Sequence, residues 1–303
     1  MMDQAEKLRQ AIDNLKLKQS VNRSPMAIPQ IKRAARVITV TSGKGGVGKT
    51  NISINLAIAL SEQGYRVVIL DADFGLANID VLFGIVPKYT LLNVIRNEKS
   101  ILEIISEGPM NTRFISGGSG VEELLKLDRQ QIMKFVESIA LLDKLADIII
   151  VDTGAGLSEN IISFIMAADE VLLVTTPEPT SITDAYALIK TVSNRDKSKR
   201  IRLIVNRVDS VDEANDVSNK LVLVADKFLG IKVEPTGYIM QDEAVTKAVK
   251  HQKPFALTHP KSMATRNIRD ICAKLIDKNG FEDAHHSSGI RGFMNKLISF
   301  MKA

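Results

Sequence analysis

The 303-residue chain holds one cysteine, Cys272, and no tryptophan. A single thiol excludes a disulfide framework or a cysteine-held metal cluster within one chain, and it suits a reducing cytosol. Cys272 lies in an apolar stretch and reads as a small core residue. Histidine is scarce as well, with four copies and no H-x-x-x-H pair. His285 and His286 sit between Ser, Asp and Gly residues, so they read as loop rather than metal site. No apolar run approaches the roughly 18 residues that argue for a membrane span. The charged start, Met1 to Gln10, lacks the apolar core of a signal peptide. Neither sign of charge dominates: 40 Lys and Arg against 35 Asp and Glu leave a formal net charge of +5. That balance permits contact with an anionic surface without requiring it. At 45% hydrophobic and 25% charged, the composition is that of an ordinary globular protein.

What is present is a glycine-rich loop in a specific setting. Residues 43–50 read Gly-Lys-Gly-Gly-Val-Gly-Lys-Thr and fit the pattern G-x-x-x-x-G-K-[ST]. An apolar, β-branched run, 36–41, precedes the loop, and Asn51 opens a helical pattern after it. Gly43, Gly45, Gly46 and Gly48 let the backbone approach a ligand closely. Successive N–H groups from Gly43 through Val47 to Asn51 then form an anion nest at the positive end of a helix. Lys49 supplies a point charge for the β- and γ-phosphates, and Thr50 a hydroxyl for Mg²⁺. ATP or ADP with Mg²⁺ is the implied ligand.

Two acidic strand ends complete the pattern. Strand 66–70 runs into Asp71-Ala-Asp73, and the run Ile148-Ile-Ile-Val151 ends in Asp152. Carboxylates at the C-terminal ends of parallel strands face the crevice where ligands bind. Asp71 and Asp73 are therefore expected near Mg²⁺ and the γ-phosphate, and Asp152 in the metal's coordination sphere. Asp80 reads only as a cap. Asn206 ends strand 201–206 and can pair a donor and an acceptor with adenine's edge, with Arg207 beside it; a plain strand-end cap is the other reading. Asp242 precedes a helical pattern and reads as an N-cap. Polar groups in 175–184 line either an interface or a turn that caps helix 180–193.

Strands at 36–41, 66–70, 147–151, 170–175, 201–206 and 236–240, with a weaker one at 113–116, alternate with helical patterns at 49–62, 121–142, 180–193, 212–229 and 260–277. This alternation predicts an α/β fold of the P-loop NTPase type: a mostly parallel, twisted sheet of about seven to eight strands with helices on both faces. The expected division is a helical arm at 1–19, a linker at 20–35 holding Pro25 and Pro29, a core at 36–277, a polar linker at 278–289 and an amphipathic helix at 290–303. In that helix Ile290, Phe293, Met294, Leu297 and Met301 share one face, with Arg291, Asn295, Lys296 and Lys302 mostly away from it. Such a composition suits a helix lying in a membrane interface, and the polar linker argues against tight docking on the core.

The form Lys44-Gly-Gly-Val-Gly-Lys-Thr50 resembles the deviant Walker A loop of the MinD/ParA class of dimerising ATPases, over about residues 36–276. The resemblance implies that Lys44 crosses a homodimer interface to the partner's nucleotide, that Asp73 positions the attacking water, and that Asp71 sits near the metal through water. Lys44, Lys49 and Asp73 are then the catalytic set. Asp152-Thr-Gly-Ala-Gly156 departs from MinD, which has proline at the position of Gly154, and resembles the flagellar-number branch called FlhG, FleN or YlxH. Asp3-Gln4-Ala5-Glu-Lys-Leu8-Arg9 matches that branch's N-terminal motif, which implies stimulation of an FlhF-like GTPase. The terminal helix resembles MinD's membrane-targeting helix. The resemblance thus implies a cytoplasmic ATPase that associates reversibly and peripherally with an anionic membrane and regulates flagellar number or placement. A flagellar C-ring component is a further partner it implies, and no specific nucleic-acid binding is expected. A division-site MinD and a ParA-like DNA-partitioning ATPase are the alternatives; the amphipathic terminus speaks against the second.

Overall fold

A computed structural model of the chain describes residues 34–73, 78–118, 123–124, 126–277 and 288–302. The arm residues Asp3, Gln4, Ala5, Leu8 and Arg9 and the loop histidines His285 and His286 lie outside the described residues.

The strands are β1 (Arg36–Ser42), β2 (Val67–Ala72), β3 (Ser106–Glu107), β4 (Arg113–Ile115), β5 (Ile148–Ala155), β6 (Glu170–Thr175), β7 (Ile201–Val208) and β8 (Val233–Met240). They form one sheet in the order β3-β4-β2-β5-β1-β6-β7-β8. Every pairing is parallel except the short β3–β4 hairpin. The longer helices are α1 (Lys49–Glu62), α2 (Arg129–Ile139), α3 (Glu159–Ala167), α4 (Pro179–Arg195), α5 (Val211–Val224), α6 (Glu243–Lys250), α7 (Met263–Ile276) and α8 (Gly289–Lys302).

Both faces of the sheet are covered, which is why its strands are continuous apolar runs. The period of two divides them cleanly. Leu172, Val174 and Ile204 join the core under α1 and α7, whereas Val171, Leu173, Leu203 and Val205 join the core under α3, α4 and α5. The C-terminal strand ends of β1, β2 and β5 consequently meet at one crevice.

Several boundaries differ from the sequence reading. The pattern at 121–142 is not one helix: Asp128 accepts hydrogen bonds from the N–H groups of Gln130 and Gln131 and starts α2 afresh at Arg129. Strand β8 starts at Val233, ahead of Pro235. It is an edge strand, where a missing N–H costs no ladder bond. At 212–229 the helix passes into a π-helical turn, Ala225–Leu229, that ends at Gly230 with φ 63°. The β3 hairpin and α3 were not anticipated, whereas α6 follows Asp242 as its N-cap reading implies.

The terminal helix is docked, contrary to the expectation raised by its polar linker. Ile290, Phe293, Met294 and Leu297 are at most 1% exposed. They pack mainly on α3, and α8 also touches α2 and β1. The Phe293 and Phe164 ring centroids lie 6.1 Å apart. Lys302 Nζ donates to Leu127 O at 3.0 Å. Met301 is only half-buried, and Phe300 faces solvent. Burying four large apolar side chains, at about 1.5–3 kcal/mol each, holds the helix on the core.

At the opposite end of the sheet, Arg36 and Arg202 are buried and share Glu170. Arg36 Nη1 also donates to Leu275 O at 2.7 Å, tying the end of α7 to β1.

Candidate functional site

The loop between β1 and α1 takes the conformations its glycines allow. Gly46 and Gly48 lie at φ 77° and 99°, a region that L side chains rarely adopt. Gly43 serves close approach: a Cβ there would lie 2.4 Å from the backbone C and O of Asp184 in α4. Helix α1 starts at Lys49 behind Gly48 with no side-chain cap and no acidic residue in its first turn. Its leading N–H groups and positive dipole end are thus offered to an anion.

Behind the loop, Lys49 is only 8% exposed. Burial lowers its pKa, while the charges of Asp152 and Asp73 act in the opposite sense. Asp71 and Asp152 are register partners on adjacent strands and are both almost fully buried. Burial, reinforced by the charge of Asp152, pushes Asp71 up to about 7. Burial likewise raises Asp152 to about 6, against hydrogen bonds from Ser53 and Thr50. Ser53 Oγ donates to Asp152 Oδ1 at 2.7 Å. Asp71 Oδ1 accepts from Asp73 N at 3.1 Å, while Asp71 Oδ2 is buried with no hydrogen-bond partner among the described residues. Two neighbouring buried carboxylates, one with an unsatisfied oxygen, are a costly arrangement that a cation relieves. The donor set, two carboxylates and the Thr50 hydroxyl, is hard oxygen throughout and fits Mg²⁺.

Asp73 lies across from Gly154 at the end of β5, where a Cβ would come 3.3 Å from Asp73 Oδ1. Lys44 turns the other way. Its Nζ reaches Glu178 Oε2 at 2.7 Å and Thr180 Oγ1 at 2.8 Å, at the start of α4 on its own chain. The Lys44 ammonium holds the Glu178 carboxyl below the ordinary carboxylate range. The segment 175–184 forms the turn that the sequence allowed for. Ser181 Oγ binds Thr175 Oγ1 at 2.9 Å and accepts from Thr176 N at 3.1 Å, closing a buried turn, while Glu178 and Thr180 face the loop.

Asn206 is more than a plain strand cap, because its amide is tied to the phosphate loop. Its Nδ2 donates to Val47 O at 2.7 Å, and its Oδ1 accepts from Arg207 N at 3.0 Å. A Cβ on Gly48 would lie 2.5 Å from that amide nitrogen, so side chain and loop are fitted to each other. Arg207 follows at φ 59°, where the β7–β8 register shifts, and its side chain is exposed. Asp242 is a double cap: its Oδ1 accepts from Ala244 N at 2.8 Å and its Oδ2 from Ala264 N at 3.2 Å. Asp80 accepts from Val81 N at 2.7 Å in the first turn of the short helix Ile79–Phe83.

The structure therefore brings together Gly43 to Thr50, Asp71, Asp73, Asp152 and Asn206. Ser53, Glu178 and Thr180 belong to the same cluster; the sequence marked the last two only as part of the polar segment 175–184 and did not pick out Ser53. Ser53 lies three residues after Thr50 on α1, and that helical spacing was the one available signal. Nothing local pairs Glu178 and Thr180 with Lys44, which lies 134 and 136 positions away in the chain.

Residues 38–255 match the model of the CobQ/CobB/MinD/ParA nucleotide binding domain. The chain is similar to the antiactivator FleN of Pseudomonas aeruginosa, at 41% identity over 240 residues, covering 79% of this chain and 86% of that protein. It is also similar to the flagellum site-determining protein YlxH of Helicobacter pylori, at 34% identity over 284 residues, covering 92% of this chain and 95% of that one. Among solved structures, the MinD cell division protein of Aquifex aeolicus superposes with a TM-score of 0.63 at 27% identity, covering 80% of this chain and 96% of that chain.

Proposed function

Because the chain belongs to the CobQ/CobB/MinD/ParA nucleotide-binding family, and within it to the FleN/YlxH flagellar regulators, we propose that ATP-driven dimerisation of this ATPase sets flagellar number or placement. The observation that carries this reading is the convergence of Lys49, Thr50, Asp71, Asp73 and Asp152 beside a phosphate loop, with Lys44 on the open side of that loop. The loop amides and Lys49 bind and orient the β- and γ-phosphates. Thr50 and Asp152 would hold Mg²⁺, with Asp71 close by. An ion held there would supply positive charge to the transferring phosphoryl group. Asp73 accepts a hydrogen bond from the attacking water and orients it in line. Lys44 leaves Glu178 and Thr180 to reach the nucleotide of a second copy, so hydrolysis is slow and depends on the dimer. One electrostatic donor of this kind contributes about 3 kcal/mol to the barrier in other enzymes. Asn206 and Arg207 flank the loop where a base would lie.

Helix α8 supplies reversible membrane attachment. Its apolar face is the one now packed on α3, so it exchanges a protein groove for an anionic bilayer. Both environments are apolar, and the bias between them is correspondingly small. A dimer presents two such helices, and the second binds at high effective concentration. Among the described residues no helix is long and apolar enough to cross a membrane, which suits peripheral attachment from the cytoplasm. The segment 1–19, through Asp3, Gln4, Ala5, Leu8 and Arg9, stimulates an FlhF-like GTPase, and a flagellar C-ring component is a further partner.

The deciding experiment pairs ATP turnover with light scattering. Asp73→Ala is expected to bind ATP, to lose turnover and to persist as a dimer with Mg²⁺. A monomeric Asp73→Ala protein in saturating ATP and Mg²⁺ contradicts the scheme.

A further inference from the structure

The segment that enters the core at Ala35 and the helix that leaves it at Gly289 meet at one atom. Asp143 lies in a short helical turn, Leu142–Leu145, just ahead of β5. Its Oδ1 accepts from Ala35 N at 3.1 Å and from Ile290 N at 2.9 Å, residues 108 and 147 positions away in the chain. Ala35 and Ile290 are both fully buried. Gly289 is at φ 66°, and a Cβ there would lie 2.6 to 2.8 Å from the Asp143 carboxylate. The first residue of α8 therefore has to be glycine for the carboxylate to reach the helix terminus. A negative charge there is favoured by the helix dipole as well as by the hydrogen bond.

We infer that Asp143 is a clasp that couples the N-terminal segment of the chain to the docking of its C-terminal helix. With either N–H in place, the half-buried carboxylate is already held in one rotamer, so the second bond forms at lower entropic cost. When α8 leaves, Asp143 becomes more fully hydrated, and Ala35 N–H has to share its acceptor with solvent. When the segment before Ala35 is pulled away, α8 loses the group that fixes its first turn. Coupling of this kind is reciprocal. A partner that engages the N-terminal segment and displaces Ala35 therefore favours release of α8, and release of α8 makes the N-terminal segment easier to displace. The clasp acts within one chain and needs neither nucleotide nor membrane. It stands apart from the proposed ATPase cycle and is testable without it.

The test is amide hydrogen exchange on the full-length protein, resolved at Ala35 and along 289–302, with exchange along β5 as the control for folding. Deleting residues 289–303 is expected to speed exchange at Ala35 about tenfold or more, the size of a lost hydrogen bond to a charged acceptor. Asp143→Ala is expected to speed exchange at Ala35 and along α8 together, and the deletion then adds little further change at Ala35. Gly289→Ala keeps the carboxylate but crowds it, and it is expected to loosen both ends in the same way if the first variant folds poorly. The clasp is overturned if the deletion leaves Ala35 exchange unchanged. It is overturned equally if the deletion speeds Ala35 exchange as much in Asp143→Ala as in the parent chain, because the coupling would then run through other residues.

Discussion

Substituting Gly43 by alanine should damage the phosphate loop far more than the same change two residues on. A Cβ at Gly43 would sit 2.4 Å from two backbone atoms of Asp184 and 2.7 Å from its Cβ. Ordinary contact needs about 3.5 Å between such carbons, so something must move by roughly 1 Å. The obstacle is backbone inside a 17-residue helix whose first turns are held by the Thr175–Ser181 bond, so α4 cannot yield locally. The loop moves instead, away from the position its N–H groups need. Overpacking of this kind costs about 1–3 kcal/mol. If the strain must be relieved again on binding, that is roughly 5- to 150-fold in nucleotide affinity. It also lowers Tm by about 2–4 °C for each kcal/mol. Gly45 is the control for the melting temperature, because a Cβ there meets no protein atom within 4 Å and its φ is ordinary. Isothermal titration of ADP and thermal melts on Gly43→Ala and Gly45→Ala check this. Equal melting temperatures for the two variants would refute the steric argument.

Glu178→Gln removes the charged partner of Lys44 and should allow ATP-dependent dimers at lower protein concentration, whereas Lys44→Ala should abolish them; sedentary monomers in both variants, by analytical ultracentrifugation, would contradict the assignment of Lys44. Because Asp71 and Asp152 are raised to about 7 and about 6, the folded state binds more protons than the unfolded one between about pH 4 and 7. Stability without nucleotide or metal should therefore fall as pH rises through that window. Melts in EDTA should show the decline in the parent chain and a flatter profile in Asp71→Asn; parallel profiles would count against it. Phe164→Ala empties the groove that Phe293 fills, a change that costs about 3–5 kcal/mol where a phenylalanine is fully buried. Tryptic cleavage at Arg291 and Lys296 should accelerate, and flotation with anionic vesicles should no longer need ATP; unchanged cleavage would show that α8 is held by other contacts.

The sequence by itself determined the parts of this protein whose physics is local. A β-branched run, four glycines, a lysine and a threonine in order specify strand, loop and helix, because φ preferences and periodicity act within a dozen residues. The acids Asp71 and Asp152 were legible for the same reason: each ends its own apolar strand. Most strands, and the parallel alternation that orders them, followed from the same patterns. Breaks that depend on one cap, such as Asp128, or on an edge position, such as Pro235 in β8, were not legible, because periodicity does not report them. The tertiary structure alone decided which residues meet across the sheet. Arg36 and Arg202 stand far apart in the chain until the fold closes them around Glu170. Asn206 offers an amide to many partners, and only the β7 position beside the loop gives it Val47 O. Lys44 needs α4 brought alongside before Glu178 can hold it. The amphipathic face of α8 is equally suited to a bilayer and to a groove, and the groove exists only once α3 and the end of β2 are assembled beneath it. Sequence patterns say how apolar a face is; what covers that face depends on contacts between residues far apart in the chain, which no local pattern encodes.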